Sequence, residues 1–205
     1  MGLGELHGGG SLNKFIVIEG LDATGKSTLV GRLSSVLHAT QLSCPPVIQI
    51  PSIQQEPARS HFDSLSPLQR RAYYRFSNLV ASEEVGKAIS TGHVVMDRYW
   101  TSTAAFAAMD EGFEHDVELG QYPDEIRKPD LLILLTVDEH NRLERLQGRG
   151  EVETKEESEL AASKTKRENV LQAYMAFNPV IIDTSNKSPE QVCEEALKIV
   201  QEVIS

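Results

Sequence analysis

The chain has 205 residues, of which 40% are hydrophobic, 24% charged and 6% aromatic, and it carries a formal net charge of −10. That length suits one domain with a sizeable core, and the acidic balance excludes a general nucleic-acid binder with its basic face. No apolar run approaches the length of a membrane span. Cys44 and Cys193 stand far apart, with no CxxC and no histidine cluster, which fits two reduced thiols inside a cell better than a disulfide or zinc centre.

Residues 1–13 hold several glycines and no arginine, so they read as a flexible leader, neither a secretory signal nor a basic transit peptide. From residue 14 to 205 the pattern is that of a single α/β domain. Apolar runs predict strands at Phe15–Ile18, Val47–Ile50, His93–Met96, Leu131–Val137 and Val180–Ile182, buried on both faces as in a parallel sheet. The spacing after residue 28 predicts a helix to Leu37. A second helix runs from Pro67, in a first turn that tolerates proline, to Ser90. A third spans Asp138 to Leu146, with an acidic start and basic residues towards its end. The last opens at Ser188-Pro189-Glu190 and buries Val192, Ala196, Ile199, Val200 and Val203. Gln147 to Glu168 is dense in Arg, Lys and Glu. It reads either as a solvated helical face or as a mobile lid over a bound nucleotide.

Gly20-Leu21-Asp22-Ala23-Thr24-Gly25-Lys26-Ser27-Thr28 fits G-x-x-x-x-G-K-[ST] in full. It follows a predicted strand and opens a predicted helix, the context in which that pattern is a phosphate-binding loop. Its glycines let backbone N–H groups from Gly20 to Thr28 turn inward around phosphate oxygens, helped by the helix N-terminus. Lys26 can reach the outer phosphates, and the Ser27 hydroxyl can ligate Mg²⁺. Asp97-Arg98-Tyr99 closes the third strand-like run, where open α/β sheets bind ligands. Asp97 suits a second Mg²⁺ contact and Arg98 a bidentate grip on a phosphoryl group.

With Arg70-Arg71-Ala72-Tyr73-Tyr74, Asn78, Val80-Ala81-Ser82-Glu83, Trp100, Lys128-Pro129-Asp130 and Leu146-Gln147-Gly148-Arg149-Gly150, these strings cover nearly the whole chain from Phe15 onward. The chain resembles thymidylate kinases, and more closely the kinase domain of the mitochondrial UMP–CMP kinase branch of that superfamily. The resemblance implies an α/β P-loop NTPase fold with a central, about five-stranded parallel sheet, helices on both faces and a short helical lid over about 147–168. It also implies transfer of the ATP γ-phosphoryl group to a pyrimidine nucleoside monophosphate, with Mg²⁺ as cofactor, in a homodimer located in mitochondria. Asp22 then approaches the acceptor sugar and the metal shell, and Arg98 bridges donor and acceptor. The lid supplies a cation from Arg145, Arg149 or Lys155, because Ala23 stands where some of these kinases place an arginine. Tyr74 stacks on the acceptor base, Phe106 walls the sugar, and Arg59 anchors the acceptor phosphate, with Arg70 or Arg71 as a second anchor. Asp183-Thr184-Ser185 lies near the donor adenine, so Asp183 joins the donor-binding set. Asn78 falls where the family keeps an arginine against thymine; an amide suits uracil or cytosine edges, which favours UMP, CMP or their deoxy forms over dTMP.

The rival from another class is a GTP-dependent switch protein. Pro189 spoils the N-K-x-D imitated by Asn186-Lys187-Ser188-Pro189, and Asp97-Arg98-Tyr99-Trp100 lacks the glycine of D-x-x-G. A non-catalytic nucleotide-binding module, a true thymidylate kinase and a deoxynucleoside kinase, whose acceptor would not call for Arg59, are the remaining alternatives.

Overall fold

The computed structural model describes residues 13–46, 58–110, 117–149 and 155–205. Thirteen elements follow in chain order: β1 (Phe15–Gly20), α1 (Lys26–Leu37), β2 (Thr40–Ser43), α2 (Ala58–Asp63), α3 (Pro67–Ala88), β3 (Val94–Asp97), α4 (Trp100–Ala107), β4 (Leu131–Thr136), α5 (Glu139–Arg149), α6 (Lys155–Ala162), α7 (Lys164–Met175), β5 (Val180–Asp183) and α8 (Pro189–Ile204). The strands form one parallel sheet in the order β2-β3-β1-β4-β5. This is the expected fold class, with β1 at the point where strand order reverses and ligands bind.

Side chains on a strand alternate between its two faces, and β1 buries all six of its residues. Phe15 and Val17 pack with Val94 and Met96 against Val85 of α3 and Trp100 of α4. Ile16 and Ile18 pack on the opposite face against Leu29 and Leu33 of α1 and Val192, Ala196 and Val200 of α8. Each such side chain contributes about 1.5–3 kcal/mol. A third cluster joins Leu160 of α6 and Val170, Ala173 and Tyr174 of α7 to Ala105 of α4 and to Leu21. The part of the charge-dense stretch that lies in α6 and α7 is therefore helical and partly anchored, through Leu160.

The second strand differs from the expectation. Val47–Ile50 lies outside the described residues, as does the leader up to residue 12. The strand observed beside β3 is Thr40–Ser43, with Thr40 opposite Val94 and Ser43 opposite Asp97. It is an edge strand with mostly exposed side chains, so it carries no apolar run. Helix α4 was not anticipated either: seven of its eight residues are buried, which erases the one-sided period that marks a surface helix.

Helix starts differ in a way that bears on function. Ser66 and Ser188 each form a capping box, with Gln69 and Gln191, ahead of a proline in the first turn. Helix α1 instead starts after Gly25, left-handed at φ 96°, with no side-chain cap. Its first N–H groups face the loop.

Candidate active site

The loop between β1 and α1 is held by its own backbone. Gly20 has φ 149°, and a Cβ there would lie 2.6 Å from the Leu135 carbonyl oxygen and 2.8 Å from Thr24 Oγ1, so no other residue fits. Thr24 Oγ1 donates to the Leu21 carbonyl at 2.8 Å, and so does Lys26 Nζ. Lys26 Nζ also stands 3.8 Å from Asp22 Oδ1. Burial, and then the nearby Arg98 charge, push the Lys26 pKa down to about 8, against the pull of Asp22, Asp97 and Glu19. An anion at the loop would relieve that deficit.

Opposite the loop, the end of β3 presents Asp97 and Arg98. Ser27 Oγ donates to Asp97 Oδ2 at 2.7 Å, while Asp97 Oδ1 is buried with no hydrogen-bond partner. A buried carboxylate oxygen lacking a donor, beside a hydroxyl, fits a hard cation with oxygen ligands. Among the described residues, no group of three or more His, Cys, Asp or Glu could hold a metal ion. An ion at Ser27 and Asp97 would therefore take most of its ligands from phosphate and water.

Arg98 has φ 63°, a left-handed conformation unusual for a large side chain. Its guanidinium reaches Asp22 Oδ1 at 2.5 Å through Nη2 and Ser102 Oγ at 3.1 Å through Nη1. Burial opposes its charge, but Asp22, Tyr174, Glu19 and Asp97 outweigh that and raise its pKa well above the usual value.

Behind Arg98 sits Glu19, fully buried at the end of β1. Its Oε1 accepts from the backbone N–H groups of Tyr99 and Ser102 at 2.9 and 3.1 Å, and its Oε2 accepts from Ser102 Oγ at 2.5 Å. Burial raises its pKa to about 7, with Arg98 and these hydrogen bonds opposing the rise. Helix α4 has no side-chain cap of its own; Glu19 supplies one from another strand. No sequence motif assigns a role to Glu19, Ser102 or Tyr174. A carboxylate inside an otherwise apolar strand run was the available signal.

Among the cavities around the loop and Arg98, two bear on nucleotide binding. One, open to solvent beside the loop, is lined by Ala23, Thr24, Gly25, Thr28, Arg145 and Thr184 among others. Arg145 Nη1 donates to the Ala23 carbonyl and to Thr184 Oγ1 at 3.3 and 3.0 Å, and Nη2 donates to the Thr184 carbonyl at 2.8 Å. This places Arg145 beside the loop-to-β5 seam. Asp183 is exposed and accepts from the N–H and Oγ of Ser185, and its neighbour Thr184 lines the cavity. A second, smaller cavity is lined by Arg71, Tyr74, Arg98, Ser102, Thr103 and Phe106 among others.

Asn78 sits deeper. It is fully buried and does not line that cavity. Its Nδ2 donates to the Tyr74 carbonyl at 2.8 Å and to Thr103 Oγ1 at 2.7 Å, so it stands one hydrogen bond behind the wall. Arg70 and Arg71 both pair with Asp110, at 3.0 and 2.7 Å; of the two, Arg71 reaches the cavity. The backbone puts Arg59 in α2, Arg149 at the end of α5 and Lys155 at the start of α6.

A phosphate-binding loop, a Ser–Asp pair fit for a divalent cation, an arginine between them and a cavity on either side define a P-loop phosphotransferase with two substrate sites. The thymidylate kinase profile matches residues 18–196. The chain belongs to the thymidylate kinase family and is an ATP-dependent nucleoside monophosphate kinase. It is 38% identical over 200 residues to the human protein named UMP-CMP kinase 2, mitochondrial; the match takes in 93% of this chain but spans only 43% of that protein's length. A thymidylate kinase of Idiomarina loihiensis is 29% identical, covering 93% of this chain and 98% of that protein. In fold, the chain is similar to thymidylate kinase from Candida albicans, with a TM-score of 0.69 at 20% identity and 94% of both chains covered.

Proposed function

We propose that the chain phosphorylates a pyrimidine nucleoside monophosphate, UMP, CMP, dUMP or dCMP, from ATP with Mg²⁺. The observation that carries this reading is Arg98, standing between Asp22 of the loop and the wall of the smaller cavity. A guanidinium there can touch both the donor γ-phosphoryl group and the acceptor phosphate. Phosphoryl transfer needs alignment and charge neutralisation more than covalent help. Lys26 and the loop N–H groups hold the β- and γ-phosphates, and Arg145 with Thr184 borders the adenine. Ser27 and Asp97 would hold Mg²⁺, which would neutralise phosphate charge there. Arg149 or Lys155 brings the lid cation.

The acceptor lies in the smaller cavity, with its base against Tyr74 and its sugar near Phe106 and Asp22, and with Arg71 and Arg59 at its phosphate. Asn78 acts there through Thr103. The Tyr74 carbonyl can only accept, so the amide must present Nδ2 to it, and the second N–H goes to Thr103 Oγ1. The Thr103 hydroxyl proton is thereby offered to the cavity, where it suits a pyrimidine keto oxygen or the cytosine N3. Self-association is supported by Leu68, Phe76 and Leu79, exposed on one side of α3, and a mitochondrial location by the human relative's name.

A phosphoryl-transfer assay with ATP–Mg²⁺ across all pyrimidine and purine monophosphates tests the reading. Faster turnover of uridine or cytidine nucleotides than of dTMP is expected. A clear preference for dTMP would make the chain a thymidylate kinase, and a preference for purines would overturn the reading altogether.

A further inference from the structure

Three side chains, from β1, from α7 and from the turn between β3 and α4, meet at one oxygen, Ser102 Oγ of α4. Glu19 Oε2 of β1 lies 2.5 Å away, Tyr174 Oη of α7 2.8 Å, and Arg98 Nη1 3.1 Å. A hydroxyl has one proton to give and two lone pairs to fill. An ionised Glu19 and the guanidinium fix two of these bonds: Ser102 donates to Glu19 and accepts from Arg98. The second lone pair then takes the Tyr174 hydroxyl proton. Every donor and acceptor at this oxygen is used, so its polarity has no alternative while Glu19 stays a pure acceptor.

Arg98 depends on that arrangement. Its left-handed backbone carries a strain of about 1–3 kcal/mol, which persists only where surroundings over-determine it. On one side its N–H donates to the Ile18 carbonyl at 3.0 Å. On the other, Glu19 grips the next N–H and the N–H of Ser102. The side chain is aimed by Asp22 and by Ser102.

We propose, building on the kinase reading above, that Glu19 and Ser102 are positioning residues for phosphoryl transfer: the Glu19 carboxylate orients the Ser102 hydroxyl, which aims the Arg98 guanidinium at the transferring group. Glu19→Gln keeps size and one accepting oxygen but turns Nε2 on Ser102 Oγ. With Tyr174 still donating, three donors compete for two lone pairs, and Arg98, which makes the longest bond, is displaced; with Tyr174 turned to accept from Ser102, its own proton is stranded, because that buried hydroxyl meets no other hydrogen-bond partner among the described residues. Misaiming a group that acts in the transition state lowers kcat rather than binding.

Steady-state kinetics of the full chain, with ATP–Mg²⁺ and whichever monophosphate it turns over fastest, test this. Glu19→Gln should lower kcat roughly 10–100-fold with the KM for ATP within about threefold of wild type. Ser102→Ala should do the same, and the double variant should be no slower than Ser102→Ala alone, because the competition needs the oxygen. Tyr174→Phe in the Glu19→Gln background removes one competing donor and should restore about 3–10-fold of the lost rate. Multiplying losses in the double variant, no recovery with Tyr174→Phe, or wild-type kcat in a folded Glu19→Gln would each overturn the proposal. If Glu19→Gln does not fold, a normal kcat in Ser102→Ala overturns it alone. Absence of any turnover in the wild-type chain would instead count against the kinase reading.

Discussion

The cavity beside the loop and the cavity beside Arg98 are built from different materials. The donor side is framed by backbone: the loop N–H groups, the uncapped start of α1, and the Ala23 and Thr184 carbonyls tied together by Arg145. The acceptor side is framed by side chains from α3, α4 and the β3 end, namely Arg71, Tyr74, Thr103, Phe106 and Arg98. Backbone geometry recognises what every nucleoside triphosphate shares, a polyphosphate. Side chains decide which monophosphate fits, and they can change without disturbing the loop.

Substitutions should separate the two sides. The largest effect is expected at their junction: Lys26→Ala or Arg98→Ala should lower kcat about 10³-fold or more while circular dichroism stays unchanged, since these charges act in the transition state. Near-normal turnover in either would refute the assigned roles. Next, Arg145→Ala should raise the KM for ATP about tenfold and leave the acceptor KM alone, because it loses charged hydrogen bonds on the donor side only. A change confined to the acceptor would invert the comparison.

Thr103→Val, which keeps shape and removes the hydroxyl, should lower acceptor kcat/KM about 5–20-fold with the KM for ATP unaltered. Equal activity would remove Thr103 from recognition of the base. The pH profile sharpens the junction further. Glu19 must be ionised to accept from Ser102, and burial raises its pKa to about 7; protonated, it becomes a donor, as glutamine would be. The group is neutral below that pH, so wild-type kcat should fall as pH drops through about 7, and Glu19→Gln should lose that acidic limb. The smallest effect lies outside both cavities: Ser188→Ala removes the α8 cap and should reduce stability by about 1 kcal/mol, read by denaturant unfolding, with kinetics unchanged.

Legibility in the sequence follows the same division. The loop, β1, β3 and the Asp97-Arg98 pair could be read because strand, turn and helix succeed one another locally, with motif spacing that phosphate chemistry demands. Thr40–Ser43 escaped because an edge strand does not need apolar residues, and α4 because a helix buried on nearly all sides shows no period. Asn78 was expected at the base, yet it sits behind Thr103; that contact joins α3 to α4 across 25 residues and no local pattern encodes it. Glu19, Ser102 and Tyr174 are ordinary residue types whose meeting depends on tertiary packing, and only the oddity of a glutamate in a buried strand announced it.

Helices α3 and α8 are finished by serines of their own sequence, whereas α1 is not. The protein thus leaves its central helix to be completed by the nucleotide, whose phosphates do the work of a missing cap. Each catalytic cycle then tightens and loosens the same element around which β1 and α8 are packed, so thermal resistance should track nucleotide concentration and melt curves become a gauge of site occupancy.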